Sequence, residues 1–299
     1  MAWFRRSLQQ RSYAVLTPVP GGIAGLRLNG DQDKPAVAAY IRRQEAKVDA
    51  DALRRMAQEM GARRAPLIAL LAGERYQTVL VEAPSVPEEE LLGAMRWKVK
   101  DQINFHIDDA VLDYLPVPAG AGRKPALYVV AAQSAAVREL AAPFHEADLS
   151  LEVIEVPEAA QNRIAARLAP PDYAVALLHM EQDLGLLTFT FGEDLILSRR
   201  IEGRGATDDL LYERVALEVQ RSVDYFERQH SWFPLAKLYL APMPEAGALQ
   251  RKLRESLPVG VESIDLGALF ELSGVPALQS SAQQNQAFHL AGAALREHP

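Results

Sequence analysis

The 299-residue chain contains no cysteine, which excludes disulfides, thiolate metal sites and a cysteine nucleophile. It also lacks long hydrophobic runs. The longest, Ala65–Gly73 and Tyr173–Leu178, fall far short of the roughly 20 residues a spanning helix needs. The opening MAWFRRSLQQRSYAV carries arginines but no apolar core followed by a cleavage site, so no secretory signal is expected. The chain is therefore expected to be soluble and cytoplasmic. Glycine-rich nucleotide motifs and the nucleophile elbow are missing as well. None of the six histidines (His106, His145, His179, His230, His289 and His298) pairs with another at metal-ligand spacing. His179 stands nearest to acids, with Glu181 and Asp183 following, and the three are expected to make a polar turn rather than a metal site.

What is present is ordinary globular composition, 49% hydrophobic and 24% charged, at a length that suggests two domains. Charge is uneven. Residues 1–64 hold 12 Lys/Arg against 6 Asp/Glu, and the remainder holds 20 against 33. The basic pairs Arg42-Arg43, Arg54-Arg55 and Arg63-Arg64 are expected on helical surface, as solvated faces or as a side turned toward anionic lipid. No aromatic-rich strand or recognition motif accompanies them, so nucleic acid is not an expected partner.

Turn residues and periodicity divide the chain. Strands are predicted at Ser12–Leu16 and Ile23–Asn29 around a Pro/Gly turn, then a helix over Asp49–Met60, then strands at Leu67–Leu71 and Thr78–Glu82. A helix opening at Ser85 or Pro87 carries Glu88, Glu89 and Glu90 in its first turn, where carboxylates complement the helix dipole. Leu91, Leu92, Met95 and Val99 are its expected buried face. Strands at Asp109–Pro116 and Pro125–Ala132 and a helix over Gln133–Ala147 complete a β-rich block over 74–150, and Glu152–Val156 is the next strand. After Pro170-Pro171 the pattern restarts with strands Tyr173–His179, Gly185–Phe191 and Asp194–Ile201. The loop Gly203-Arg204-Gly205 leads into an amphipathic helix over Asp208–Gln229. A strand at Lys237–Ala241, a helix at Ala246–Ser256, a strand at Val261–Leu266 and a helix at Asn285–Arg296 follow. The two halves read as a duplicated α/β unit.

Three stretches then carry a resemblance. Val86–Pro116 (VPEEELLGAMRWKVKDQINFHIDDAVLDYLP) has Pro-x-Glu-Glu, an Arg-Trp pair and an acidic Asp-Tyr strand, with Phe105-His106 where Phe-Pro is usual. Glu218–Ala241 and the ending Ala291–Arg296 follow in order. They resemble the PilM-like type IV pilus proteins, nearest to the branch serving mannose-sensitive haemagglutinin (MSHA) pili. The resemblance implies an actin-like, ribonuclease-H-like two-lobed α/β fold with an inserted α+β subdomain. The first lobe is placed at 1–73 and 151–171, the insertion at 74–150 and the second lobe at 172–299. It further implies a protein under the inner membrane that binds the cytoplasmic tail of a single-pass inner-membrane pilus protein and links it to the assembly ATPase. A type II secretion component of the same fold is the alternative setting.

In actin-like proteins two hairpin turns, each with an Asp and a Gly, hold phosphates and Mg²⁺. Here the aligned first turn offers Thr17 and Val19, followed by Gly21 and Gly22, and Pro18 and Pro20 remove N–H donors. The second offers His179 for the Asp and Glu181 for the Gly, with Asp183 able to reach a metal in a shifted turn. Of the adenosine loop only Gly247 remains. No enzyme activity and no cofactor are expected, with Mg-ATP binding that gates docking as the alternative. For a partner-peptide groove the resemblance points to Arg96, Trp97, Asn104, Phe105 and Ile107, which otherwise pack the subdomain. Trp232-Phe233-Pro234 is either tucked against the core or part of a contact surface.

Overall fold

The computed structural model describes residues 13–30, 33–120, 124–182, 184–203 and 208–297. Two five-stranded sheets repeat one plan. In the first, β1 (Ala14–Val19), β2 (Gly22–Asn29), β3 (Ala36–Gln44), β4 (Leu67–Leu70) and β8 (Leu151–Glu155) take the order β3-β2-β1-β4-β8. In the second, β9 (Ala174–Glu181), β10 (Leu184–Phe191), β11 (Asp194–Glu202), β12 (Leu235–Leu240) and β13 (Gly260–Ser263) take the order β11-β10-β9-β12-β13. In each, three antiparallel strands are followed by two that run parallel to the first.

Parallel neighbours need a crossover connection, which helices supply. These are α1 (Ala50–Glu59) before β4, α5 (Asp208–Gln229) before β12 and α6 (Ala246–Ser256) before β13. Asp49 caps α1, its carboxylate accepting from the Ala52 N–H at 3.0 Å. Leu53, Met56 and Ala57 of that helix, with Met60 just beyond it, cover Leu16 and Ile23 on the outer face of the first sheet. Val215, Val219, Val223 and Phe226 of α5 do the same for the second sheet, joined by Leu249 and Leu253 of α6.

The sheets differ between β4 and β8. There the chain makes a third sheet, ordered β5-β7-β6, from β5 (Tyr76–Glu82), β6 (Ala110–Val117) and β7 (Ala126–Gln133). Helix α2 (Glu88–Val99) covers one face of it through Met95 and Val99. Helix α3 (Ser134–Glu146) then returns to the first sheet, with Phe144 fully buried among Leu53 and Met56.

The lobes exchange their last helices. Helix α4 (Pro157–Leu168) follows the first sheet yet packs on β9, β10 and β11, while α7 (Ser281–Ala294) follows the second sheet yet packs on β1, β2 and β4. They cross where a Cβ on Gly292 would lie 2.1 Å from the Ala160 carbonyl oxygen, a separation only glycine permits. Val15, Leu26 and Ile68 thereby share one core with Val175, Leu177 and Phe288. Among the described residues no helix is long and apolar enough to cross a membrane.

Three expectations are corrected. Arg42 and Arg43 lie on strand β3, not on a helix, and Arg63 and Arg64 lie in the turns after α1. Carboxylates answer half of the six basic side chains: Arg43 pairs with Glu59 at 2.5 Å, Arg55 with Glu45 at 3.7 Å and Arg54 with Asp51. Such exposed pairs contribute little stability, but they neutralise much of the basic surface. Leu92 is 46% exposed instead of buried, because Leu91, Met95 and Val99 are the side chains that α2 turns to the third sheet.

Candidate functional site: the paired hairpin ends and the buried polar joint

The hairpins β1–β2 and β9–β10 occupy equivalent places in the two sheets, and each closes on two residues. Val19 pairs with Gly22 across Pro20 and Gly21, and Glu181 pairs with Leu184 across Gln182 and Asp183. Asp183 itself lies outside the described residues. Counting back from the closing pair, Thr17 and His179 hold the same position in their lobes.

Thr17 is 1% exposed. Its Oγ1 accepts from the Leu70 N–H at 3.0 Å and donates to the Leu70 carbonyl at 3.1 Å, stitching β1 to the end of β4. Val19 is half-buried against the central core. Gly21 sits exposed at φ +75°, and its carbonyl accepts from the Glu45 N–H. At Gly22 a Cβ would come 1.9 Å from the Arg43 carbonyl oxygen. The close approach of β3 therefore demands a glycine there. Pro18 and Pro20 contribute no N–H.

His179 does not line its turn. Its ring is buried, and Nε2 lies 3.1 Å from the Asn285 carbonyl of α7. A carbonyl only accepts, which assigns the proton to Nε2. The ring stacks on Phe288 at 5.0 Å and sits against His289 at 4.4 Å. Burial pushes its pKa down to about 4, so it is neutral near pH 7. His289 donates from Nε2 to Gln161 Oε1 at 3.1 Å, and desolvation, then the neighbouring His179, holds its pKa well below the usual histidine range.

Gln161 of α4 completes the joint. Its Nε2 faces the carbonyls of Leu177 and Leu186 and the Thr188 hydroxyl at 2.9, 3.1 and 3.0 Å. Asn285 donates to the Met180 carbonyl at 2.8 Å and the Pro242 carbonyl at 2.7 Å, binding the end of β9 and the loop after β12 to α7. Glu181 is exposed, and so is Gly247, the second residue of α6, with open space where a Cβ would stand. A cavity of about 230 Å³ is lined by Lys34, Asp265, Glu271 and Gln284 among others, and by none of the hairpin residues. Among the described residues no group of three His, Asp or Glu side chains could hold a metal ion.

In the third sheet's subdomain, Arg96 donates to the Ile107 carbonyl at 2.6 Å and the Ala110 carbonyl at 3.3 Å, pinning the loop after α2. The Asn104 N–H donates to Gln77 Oε1 at 2.8 Å, and Ile107 packs with the core under α2. Phe105 is half-buried. Trp97 points away from all of these, 75% exposed, with the Lys100 ammonium 5.1 Å from its ring centre. Arg96, Asn104 and Ile107 thus bond or pack within the subdomain, and Trp97 is its exposed aromatic side chain.

Sequence reasoning passed over Gln161, Asn285 and His289. The last two stand one helical turn apart on α7, a spacing that puts them on one face. Nothing in the sequence marks that face as buried.

Two sheets of one order, closed by exchanged helices, define the actin-like, two-lobed α/β fold. Among solved structures, the chain superposes with a TM-score of 0.73 on a chain of the PilM–PilN type IV pilus biogenesis complex, at 18% identity over 96% of this chain and 98% of that one. The cytoplasmic domain of EpsL, an inner-membrane component of the type II secretion system of Vibrio cholerae, gives 0.52 at 15% identity, covering 93% and 94%. A Bacteroides thetaiotaomicron protein with an actin-like ATPase fold and unknown function gives 0.52 at 9%, covering 90% and 96%. No protein-family model and no curated protein matches the chain.

Proposed function

We propose that the chain is a non-catalytic scaffold of a type IV pilus assembly machine of the MSHA type. It docks the cytoplasmic tail of a single-pass inner-membrane partner and passes contact to the assembly ATPase, working at the cytoplasmic face of the membrane. The end-to-end superposition on the PilM–PilN complex supports the setting, together with the Val86–Pro116 resemblance. The observation that carries the scaffold reading is His179, a neutral ring turned into the joint at the place where the actin-like pattern calls for a metal-organising carboxylate.

The remaining residues fit a nucleotide poorly. Pro18 and Pro20 lack the N–H groups that would hold phosphate. Glu181 would place a carboxylate beside the phosphates, at a cost of about 4 kcal/mol for unit charges 4 Å apart at an effective dielectric near 20. Trp97 supplies an exposed aromatic anchor of the kind peptide-docking surfaces use.

Deleting the chain from its own cell tests this reading. Surface pili are expected to disappear while protein secretion continues. A secretion defect with pili intact would move the chain to the second setting, which the EpsL likeness favours.

A further inference from the structure

The inserted sheet touches more than the lobe that carries it. Under its β5 edge, Tyr76, Glu158 of α4 and Arg200 of β11 meet. The Tyr76 hydroxyl donates to Glu158 Oε2, and Arg200 Nη2 pairs with Glu158 Oε1 at 3.0 Å. Arg200 also donates to the Gly73 carbonyl, and its guanidinium lies 4.7 Å over the Tyr76 ring. Glu158 is 1% exposed, so its charge relies on these partners.

Two further contacts lie along the same seam. The Ser198 N–H of β11 donates to the Tyr128 hydroxyl of β7 at 3.1 Å, and Leu195 packs with Val117 and Tyr128. Beyond β6, Gly120 lies flat against Trp232 of the second lobe; a Cβ there would be 1.7 Å from the indole. This tucks Trp232 against the inserted subdomain and resolves the choice left open for it by the sequence.

Covalently, the inserted sheet belongs to the first lobe, since it lies between β4 and β8. Each of its contacts on this seam is with the second lobe or with α4. The lobes are thus joined at the α4–α7 crossing, a natural hinge, and along this seam, which starts beside it at Glu158, two residues from Ala160, and runs out to Trp232. Rotation about the first must break the second. We propose that the inserted subdomain is a clasp holding the lobes at one fixed angle, with Arg200 as its releasable element. The clasp does not depend on the pilus reading or on whether nucleotide binds.

The absence of cysteine makes the test direct. Nitroxide labels on cysteines introduced at the exposed Gln58 of α1 and Glu227 of α5 report the angle between the lobes by pulsed electron paramagnetic resonance. The parent chain is expected to give one narrow distance distribution. Arg200→Ala should broaden it or add a second, longer population. Because that change leaves Glu158 buried without its cation, the double variant Glu158→Gln with Arg200→Met is measured as well, and Trp232→Ala opens the far end of the seam. A distribution as narrow as the parent's in the folded double variant and in Trp232→Ala would overturn the clasp.

Discussion

Thr17 and His179 hold equivalent places in two sheets of the same design, yet they are satisfied in different ways. Thr17 bonds within its own sheet, to both backbone groups of Leu70. His179 bonds outside its sheet, to the Asn285 carbonyl of the helix that also covers the first lobe. The first lobe thus closes its hairpin with a local hydroxyl. The second closes its hairpin only when α7, Gln161 and His289 are in place. Duplicated topology has kept the strand order and divided the roles: one hairpin stabilises a sheet, and the other stabilises the joint between lobes.

Breaking the joint altogether should have the largest effect. Gly292→Val drives a side chain into the Ala160 carbonyl and is expected to cost about 3 kcal/mol, as backbone cannot yield as side chains do. Urea unfolding of this variant should still show a single transition, because each lobe lacks a cover without the other's helix. Two separated transitions would mean that the lobes fold independently.

Acid comes next. His179 has a folded pKa of about 4 against about 6.5 when unfolded, so between those values the unfolded chain binds more protons. Stability is therefore full above pH 6.5 and falls as pH drops toward 4, by about 3 kcal/mol from this residue alone. Melting curves across that range check it, and His179→Phe should flatten the slope. The same acid range should leave the Thr17 side untouched, for a hydroxyl does not titrate there. Thr17→Val is expected to cost about 1–2 kcal/mol, equally at pH 5 and pH 8, by removing two buried hydrogen bonds.

The smallest change in stability is expected at Trp97→Ala, within about 0.5 kcal/mol, because the ring is already in water. Its expected effect is on partner binding. A Trp97→Ala chain that melts like the parent but still captures the proposed membrane partner's tail at full affinity would remove Trp97 from the proposed docking surface.

Much of this architecture was legible. Helix α5 stands over the predicted residues because Val215, Val219, Val223 and Phe226 recur at three- and four-residue spacing. Strands β9 and β10 stood out as apolar runs that both faces of a buried sheet require. Helix α4 did not, since Ile164 is the one large apolar side chain on a buried face otherwise made of Ala159, Ala160 and Ala165 with Glu158 and Gln161. Strand β3 hid in the same way: its alanines favour no strand, and its two arginines looked like helix surface. At the candidate site, Thr17 and His179 could be picked out by alignment to a pattern. That His179 faces inward follows only from packing, and its partners Asn285 and His289 become visible only once α7 is seen to cross between the lobes.

The central claim is that these hairpin ends hold the molecule together and do not hold a nucleotide. Titration with Mg-ATP by calorimetry, alongside a melting curve, tests it most directly, because a ligand bound only by the folded chain must raise its melting temperature. The account predicts no heat and no shift at millimolar concentration. Micromolar binding with a raised melting temperature would contradict it and make the hairpin ends a nucleotide site.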